Sequence, residues 1–212
     1  MAIVKCFTFN PFQENTYVVY DETNTCVIID PGMYHKAEEE ALQDFISSHN
    51  LTPVLLLNTH CHIDHIFGNR WVKDHYDIPF YAHELEMDNL THAPQHARIF
   101  GVSMGASPQP DYFIDPGKDI VFGNTTFKVL FTPGHSAGSV SFYNAENNFV
   151  IAGDALFMGS IGRTDLPGGD YDTLISSIKT ALLTLPENTI VYSGHGPETT
   201  TEREAVSNPF LV

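Results

Sequence analysis

The feature that most constrains this chain is the run Thr59-His60-Cys61-His62-Ile63-Asp64-His65, set directly behind the apolar segment Pro53-Val54-Leu55-Leu56-Leu57-Asn58. A continuous apolar stretch bounded by polar residues reads as a strand buried on both faces. Four side chains of metal-ligand type (His60, His62, Asp64 and His65) then follow within six residues. Where the chain stays extended, residues two apart share a face, so His60 and His62 point one way and Cys61 the other. Asp64 and His65 fall where the chain turns towards the next helix and face a second point nearby. Imidazoles and carboxylates at this density suit borderline metals such as zinc. Loops at the C-terminal ends of strands are also the functional positions of layered α/β folds.

Three more strand ends carry a ligand-type residue between small neighbours. His135 lies in Thr132-Pro133-Gly134-His135-Ser136 behind Phe127-Lys128-Val129-Leu130-Phe131. Asp154 follows Phe149-Val150-Ile151-Ala152-Gly153, and His195 sits in Ser193-Gly194-His195-Gly196 behind Thr189-Ile190-Val191-Tyr192. Small residues let backbones approach closely there. Ser136 and Ser139 read as loop-structuring hydroxyls rather than nucleophiles.

Hydrophobic periodicity places strands at 2–9, 16–20, 25–30, 53–58 and 79–82, with helices at 36–49 and 69–76. Helices and a polar loop near 103–110 are expected within 83–118, as local core or as a cover for a groove. Strands follow at 119–122, 125–131, 139–144, 148–153 and 189–192, an amphipathic helix at 172–185, and a helical tail. Strands first, then strands alternating with helices, in both halves, predict an α/β (α+β) chain of two packed sheets with helices outside. At 212 residues it is expected to be a single domain, 1–212.

Composition narrows the function. The chain carries 10 Lys+Arg against 26 Asp+Glu, for a net charge of −16. That balance excludes a broad nucleic-acid surface or an anionic-membrane surface. Three cysteines form no disulfide framework, and Cys6 and Cys26 are expected as core thiols. The absence of a signal-like leader or an apolar span predicts a cytoplasmic protein. The 11 histidines outnumber the cationic side chains, which calls for a role for neutral imidazole.

Taken together, Thr59–His65, Thr132–Ser136, Gly153-Asp154-Ala155-Leu156-Phe157, Gly162-Arg163-Thr164-Asp165 and Gly194-His195-Gly196-Pro197 through Asn208-Pro209-Phe210 resemble the metallo-β-lactamase-fold hydrolases. The likeness is greatest to the short glyoxalase II-like (hydroxyacylglutathione hydrolase-like) proteins. The resemblance implies a four-layered αββα sandwich with a dinuclear metal site. By position, His60, His62 and His135 would hold one divalent ion, and Asp64, His65 and His195 the other. Asp154 would bridge them together with a hydroxide. Zinc is the expected metal, with iron or manganese as alternatives. The implied reaction is hydrolysis of a small-molecule thioester by the bridging hydroxide, with Asp64 and Asp154 catalytic and Arg163 meeting a substrate carboxylate. Seventeen residues follow His195, so the C-terminal helical domain that contacts glutathione in classical members is not expected. The remaining histidines, His35, His49, His75, His83, His92 and His96, match no ligand position. Iron-dependent persulfide dioxygenase is the alternative chemistry, followed by lactone or phosphodiester hydrolysis on the same scaffold.

Overall fold

The computed structural model describes residues 1–212. They form two compact units, residues 1–114 with 121–125, and residues 115–120 with 126–212. Each unit is built around its own sheet.

In the first unit, β1 (Ile3–Phe9), β2 (Glu14–Tyr20) and β3 (Thr25–Ile29) form an antiparallel meander. Helix α1 (Lys36–Ser48) then returns the chain so that β4 (Thr52–Leu57) pairs parallel to β3. The one-turn helix α2 (Ile63–Ile66) and helix α3 (Asn69–Tyr76) lead to β5 (Phe80–Ala82), again parallel. A 3₁₀ turn (Glu84–Glu86), helix α4 (Met87–Ile99) and β6 (Tyr112–Phe113) complete a six-stranded sheet in sequential order β1 to β6. Its core gathers Val18, Ile28, Leu42, Leu56, Ile66 and Phe80, all buried.

The second sheet repeats this plan. Strands β7 (Ile120–Phe122), β8 (Thr125–Phe131), β9 (Val140–Asn144) and β10 (Phe149–Gly153) precede helix α5 (Tyr171–Ser177). β8 and β10 are both antiparallel to β9. Beyond α5, β13 (Ile190–Ser193) pairs parallel to β10, and β14 (Thr199–Thr200) pairs antiparallel to β13. Between Asp154 and Gly162 a small hairpin forms from β11 (Leu156–Phe157) and β12 (Ser160–Ile161). Helix α6 (Thr201–Ser207) closes the chain. The order β14-β13-β10-β9-β8-β7 brings the C-terminal ends of β8, β10 and β13 to one end of this sheet. Two mixed sheets flanked by helices are the α/β architecture expected from the sequence.

Several details differ from expectation. β2 starts at Glu14 because the turn before it is tight, with Asn10 and Gln13 in the left-handed region. The predicted helix over 172–185 splits into α5 and a π-type segment, Ile178–Leu182. In a pure α-helix, residues eight apart drift by about 80°. The wider turn cancels that drift and keeps Leu174, Ile178 and Leu182 all fully buried. Cys26 is a core thiol, but Cys6 is exposed, on the edge strand β1. The 83–118 stretch packs Met87, Val102 and Met104 onto the first core, whereas its aromatics Phe100, Tyr112 and Phe113 are exposed and do not take the local-core role. Its loop is fastened by Ser103 N to Tyr34 Oη (3.2 Å), Arg70 Nε to Ala106 O (3.3 Å) and Lys73 to Asp111. No helix is long and apolar enough to cross a membrane.

Candidate metal centre

Parallel pairing explains how the first donor set forms. β3 and β4 run side by side, so the residues leaving their C-terminal ends, Asp30 and Asn58-Thr59, meet. Asp30 is buried and accepts four hydrogen bonds. Its Oδ1 takes Thr59 N (2.7 Å) and Asn58 Nδ2 (3.2 Å), and its Oδ2 takes Thr59 Oγ1 (2.5 Å) and His65 Nδ1 (3.1 Å). A carboxylate has about four lone-pair positions. Asp30 ligand atoms lie within 4.8 Å of those of His60 and His65, yet this carboxylate is committed to orienting them.

The tautomers follow. Thr59 donates its only hydroxyl proton to Asp30, so the contact to His60 Nδ1 at 3.1 Å has the imidazole as donor. His65 likewise donates from Nδ1 to Asp30. Each ring therefore presents its Nε2 lone pair, the form in which a histidine ligates a metal through that nitrogen. The rings gather, with His60 centred 4.8 Å from His62 and 4.1 Å from His65. His65 Nε2 lies 3.8 Å from Asp64 Oδ2. Asp64 and His65 share the turn α2, and Cys61 is buried.

Other buried groups fix this loop. Glu86 Oε2 takes the Cys61 N–H at 2.8 Å and Asn89 Nδ2 at 2.9 Å. Asn10 Nδ2 spans Asp64 O (3.0 Å) and Gly32 O (2.9 Å). Gly32 N donates to Thr16 Oγ1, which donates to Glu14 Oε2. Burial pushes the Glu14 carboxyl well above the usual range. Sequence reasoning missed all of these. Asp30 had a signal, an acid at a strand end before Pro-Gly, but Asn10, Glu14 and Glu86 had none.

The second donor set sits at the shared end of β8, β10 and β13. His135 Nδ1 donates to the Arg163 carbonyl at 2.8 Å, and its Nε2 stands 3.5 Å from Asp154 Oδ2. His195 Nε2 is also 3.5 Å from Asp154 Oδ2. A neutral His135 so held turns a lone pair towards a carboxylate oxygen, an arrangement that requires a cation or a proton between them. The donor set therefore fits a divalent ion. Close packing makes this turn possible: a Cβ on Gly162 would lie 1.9 Å from Asp154 O and 3.0 Å from His135 Nδ1. Ser139 Oγ caps Ser136 N at 3.3 Å, the structural role expected of it.

Arg163 contributes its carbonyl to this set, whereas its guanidinium forms a two-pronged pair with Asp165 at 2.7 Å on each arm. That pair holds the Asp165 carboxyl down to about 2. Five of the six histidines outside the sets have local contacts: His35 is the N-cap residue of α1, His49 Nδ1 bonds Phe45 O, His75 stacks on Trp71, His83 accepts Leu85 N, and His92 Nδ1 bonds Asp88 O.

A family model described as the metallo-beta-lactamase superfamily matches residues 9–195. The chain is 43% identical over 203 residues to the Probable metallo-hydrolase YqgX of Bacillus subtilis, spanning 95% of this chain and 93% of that protein. It is 38% identical over 202 residues to the Hydroxyacylglutathione hydrolase GloC of Haemophilus influenzae, spanning 94% and 93%. The BLEG-1 B3 metallo-beta-lactamase structure superposes with a TM-score of 0.91 at 41% identity, over 99% of this chain and all (100%) of that one. TTHA1623 in a di-iron-bound form does so with 0.89 at 40%, over 98% and 100%. ETHE1 from Myxococcus xanthus is more distant, at 0.79 and 26%, over 98% and 83%.

Proposed function

The chain belongs to the metallo-β-lactamase superfamily, and from that membership we propose that this metallo-hydrolase cleaves a thioester of the hydroxyacylglutathione type. His60, His62, Asp64 and His65 from one donor set and His135, Asp154 and His195 from the other are the proposed ligands of two divalent ions, zinc first and iron or manganese next. Such ions, when bound, polarise a carbonyl and bring the pKa of a water near neutrality. The chain's own residues prepare that chemistry. Asp30 and the Arg163 carbonyl hold His65 and His135 with Nε2 unprotonated. Asp64 and Asp154 are the carboxylates available to orient the attacking water and accept its proton. A thiol leaving group has a pKa of about 8.5, so no strong general acid is needed. The exposed Arg163 is the proposed contact for a substrate carboxylate, exchanging Asp165 for it.

The observation that carries the hydrolase reading is Asp154 Oδ2 standing 3.5 Å from two imidazole Nε2 atoms. The thioester reading is supported by 38% identity to GloC across nearly the whole chain. The likeness to BLEG-1 favours a second reading, β-lactam hydrolysis. A substrate panel decides: S-lactoylglutathione, a chromogenic cephalosporin, a lactone, a phosphodiester, and glutathione persulfide with oxygen uptake recorded. The proposal expects the thioester to have the highest kcat/KM. Faster cephalosporin turnover, or oxygen consumption with persulfide, would replace it.

A further inference from the structure

The motif Asn208-Pro209-Phe210 and the helix before it have no part in the chemistry above, yet they carry two fully buried polar side chains, Glu204 and Asn208. Glu204 Oε2 accepts Gly159 N, at the tip of the β11–β12 hairpin, at 2.9 Å. Its Oε1 accepts Thr199 Oγ1 at 2.6 Å. Asn208 Nδ2 bridges Glu204 Oε2 (2.8 Å) and the Ser160 carbonyl (3.0 Å). One carboxylate therefore gathers the hairpin tip, the segment behind His195, and the tail.

What this clamp holds matters because of where the hairpin ends lead. β11 begins two residues after Asp154, and β12 ends two residues before Arg163, whose carbonyl sets His135. The hairpin base is pinned by Ser193 Oγ to Leu156 O at 2.7 Å, and Gly194 N bonds Gly153 O at 2.8 Å. At Gly162 there is no room for slippage, since even one added carbon would strike Asp154 O. A shift of the hairpin moves the Arg163 carbonyl, and with it the hydrogen bond that selects the His135 tautomer.

We propose that Glu204 and Asn208 are positioning residues: through the β11–β12 hairpin and Thr199 they set the geometry of Asp154, His135 and His195 together. The inference rests on the metal-centre reading of those three residues. Partners behind a ligand typically account for 10–100-fold in metal affinity. Glu204 and Asn208 act one step further out, so about 10-fold is expected.

The test uses Glu204→Gln, Asn208→Ala and the milder Thr199→Val in the full chain. Glu204→Gln keeps the shape and one acceptor oxygen for Gly159 N and Asn208 Nδ2, but removes the acceptor to which Thr199 Oγ1 donates. Thermal midpoint, metal affinity by chelator competition, and the absorption spectrum of the cobalt(II)-loaded protein are measured on each. Asp21→Asn serves as the reference for general destabilisation, because Asp21 ties Thr23, Asn124 and Thr125 and touches no donor residue. The proposal expects about tenfold weaker binding and an altered cobalt spectrum in the tail variants. Asp21→Asn, with a similar loss of thermal midpoint, keeps both. Folded tail variants with wild-type affinity and spectrum would overturn it. If Glu204→Gln does not fold, Asn208→Ala and Thr199→Val decide on the same readouts. A wild-type chain that binds no metal sinks the metal-centre reading instead, and this distinguishes the two failures.

Discussion

Replacing Asp30 by Asn perturbs the first donor set without touching a proposed ligand. Asparagine keeps Oδ1, and so keeps Thr59 N and Asn58 Nδ2. At the Oδ2 position it presents an amide N–H₂ to two groups that already donate, Thr59 Oγ1 and His65 Nδ1. Each lost charge-assisted bond is worth ~1.5–3 kcal/mol, so the fold weakens by ~3–6 kcal/mol if the two losses add. The more specific effect is on His65. To satisfy the new donor its Nδ1 must accept, which moves the proton to Nε2 and occupies the lone pair that faces Asp64 3.8 Å away. Loss of such an orienting partner costs about 10–100-fold in metal affinity. Chelator competition on folded Asp30→Asn protein, checked by circular dichroism, reads this directly. Half-normal metal content or a tenfold weaker second site is expected; two ions held with wild-type affinity would refute the tautomer reasoning.

Four further outcomes are expected. His135→Ala and Asp154→Ala should each lose metal and abolish turnover, measured by elemental analysis and thioester assay on the same sample. Gly162→Ala should lower the thermal midpoint and the metal content together, because its Cβ meets Asp154 O at 1.9 Å; a fully loaded variant would contradict this. Arg163→Ala should raise KM for S-lactoylglutathione about tenfold, the low end of what a charged contact is worth, and leave metal content intact. An unchanged KM assigns the guanidinium to Asp165 alone. Burial pushes the Asp21 carboxyl up, but hydrogen bonds from Thr23, Thr125 and Asn124 outweigh it and hold the group below its ordinary 3.8. The carboxylate thus contributes stability in full above pH 3.8 that is lost as pH falls through the lowered value. Urea unfolding should show the difference between wild type and Asp21→Asn shrinking in that acid range.

The loops that carry the proposed ligands could be picked out because each signal is local. His60 to His65 follow an apolar run, and His135, Asp154 and His195 stand at strand ends between small residues. The sheet order follows from the same runs, since a helix between strands enforces parallel pairing of β3 with β4 and of β10 with β13. What the sequence hid depends on distant partners. Asp30 meets Thr59 across 29 positions, and Gly159 meets Glu204 across 45. No periodicity marks such a residue, because its acceptor atoms matter rather than its face. The hairpin Leu156–Ile161 was hidden for another reason: two-residue strands carry too few alternations to show. The edge position of β1, and hence the exposure of Cys6, is likewise a property of sheet order rather than of local sequence.

The central claim is that two donor sets make this chain a metal-dependent hydrolase. Its most direct test is a titration: remove all metal, add zinc back stepwise, and follow S-lactoylglutathione hydrolysis against bound metal per chain. The account predicts no activity in the metal-free protein and recovery that saturates at two ions per chain. Full activity without metal, or saturation at a single iron accompanied by oxygen uptake on persulfide, would contradict it.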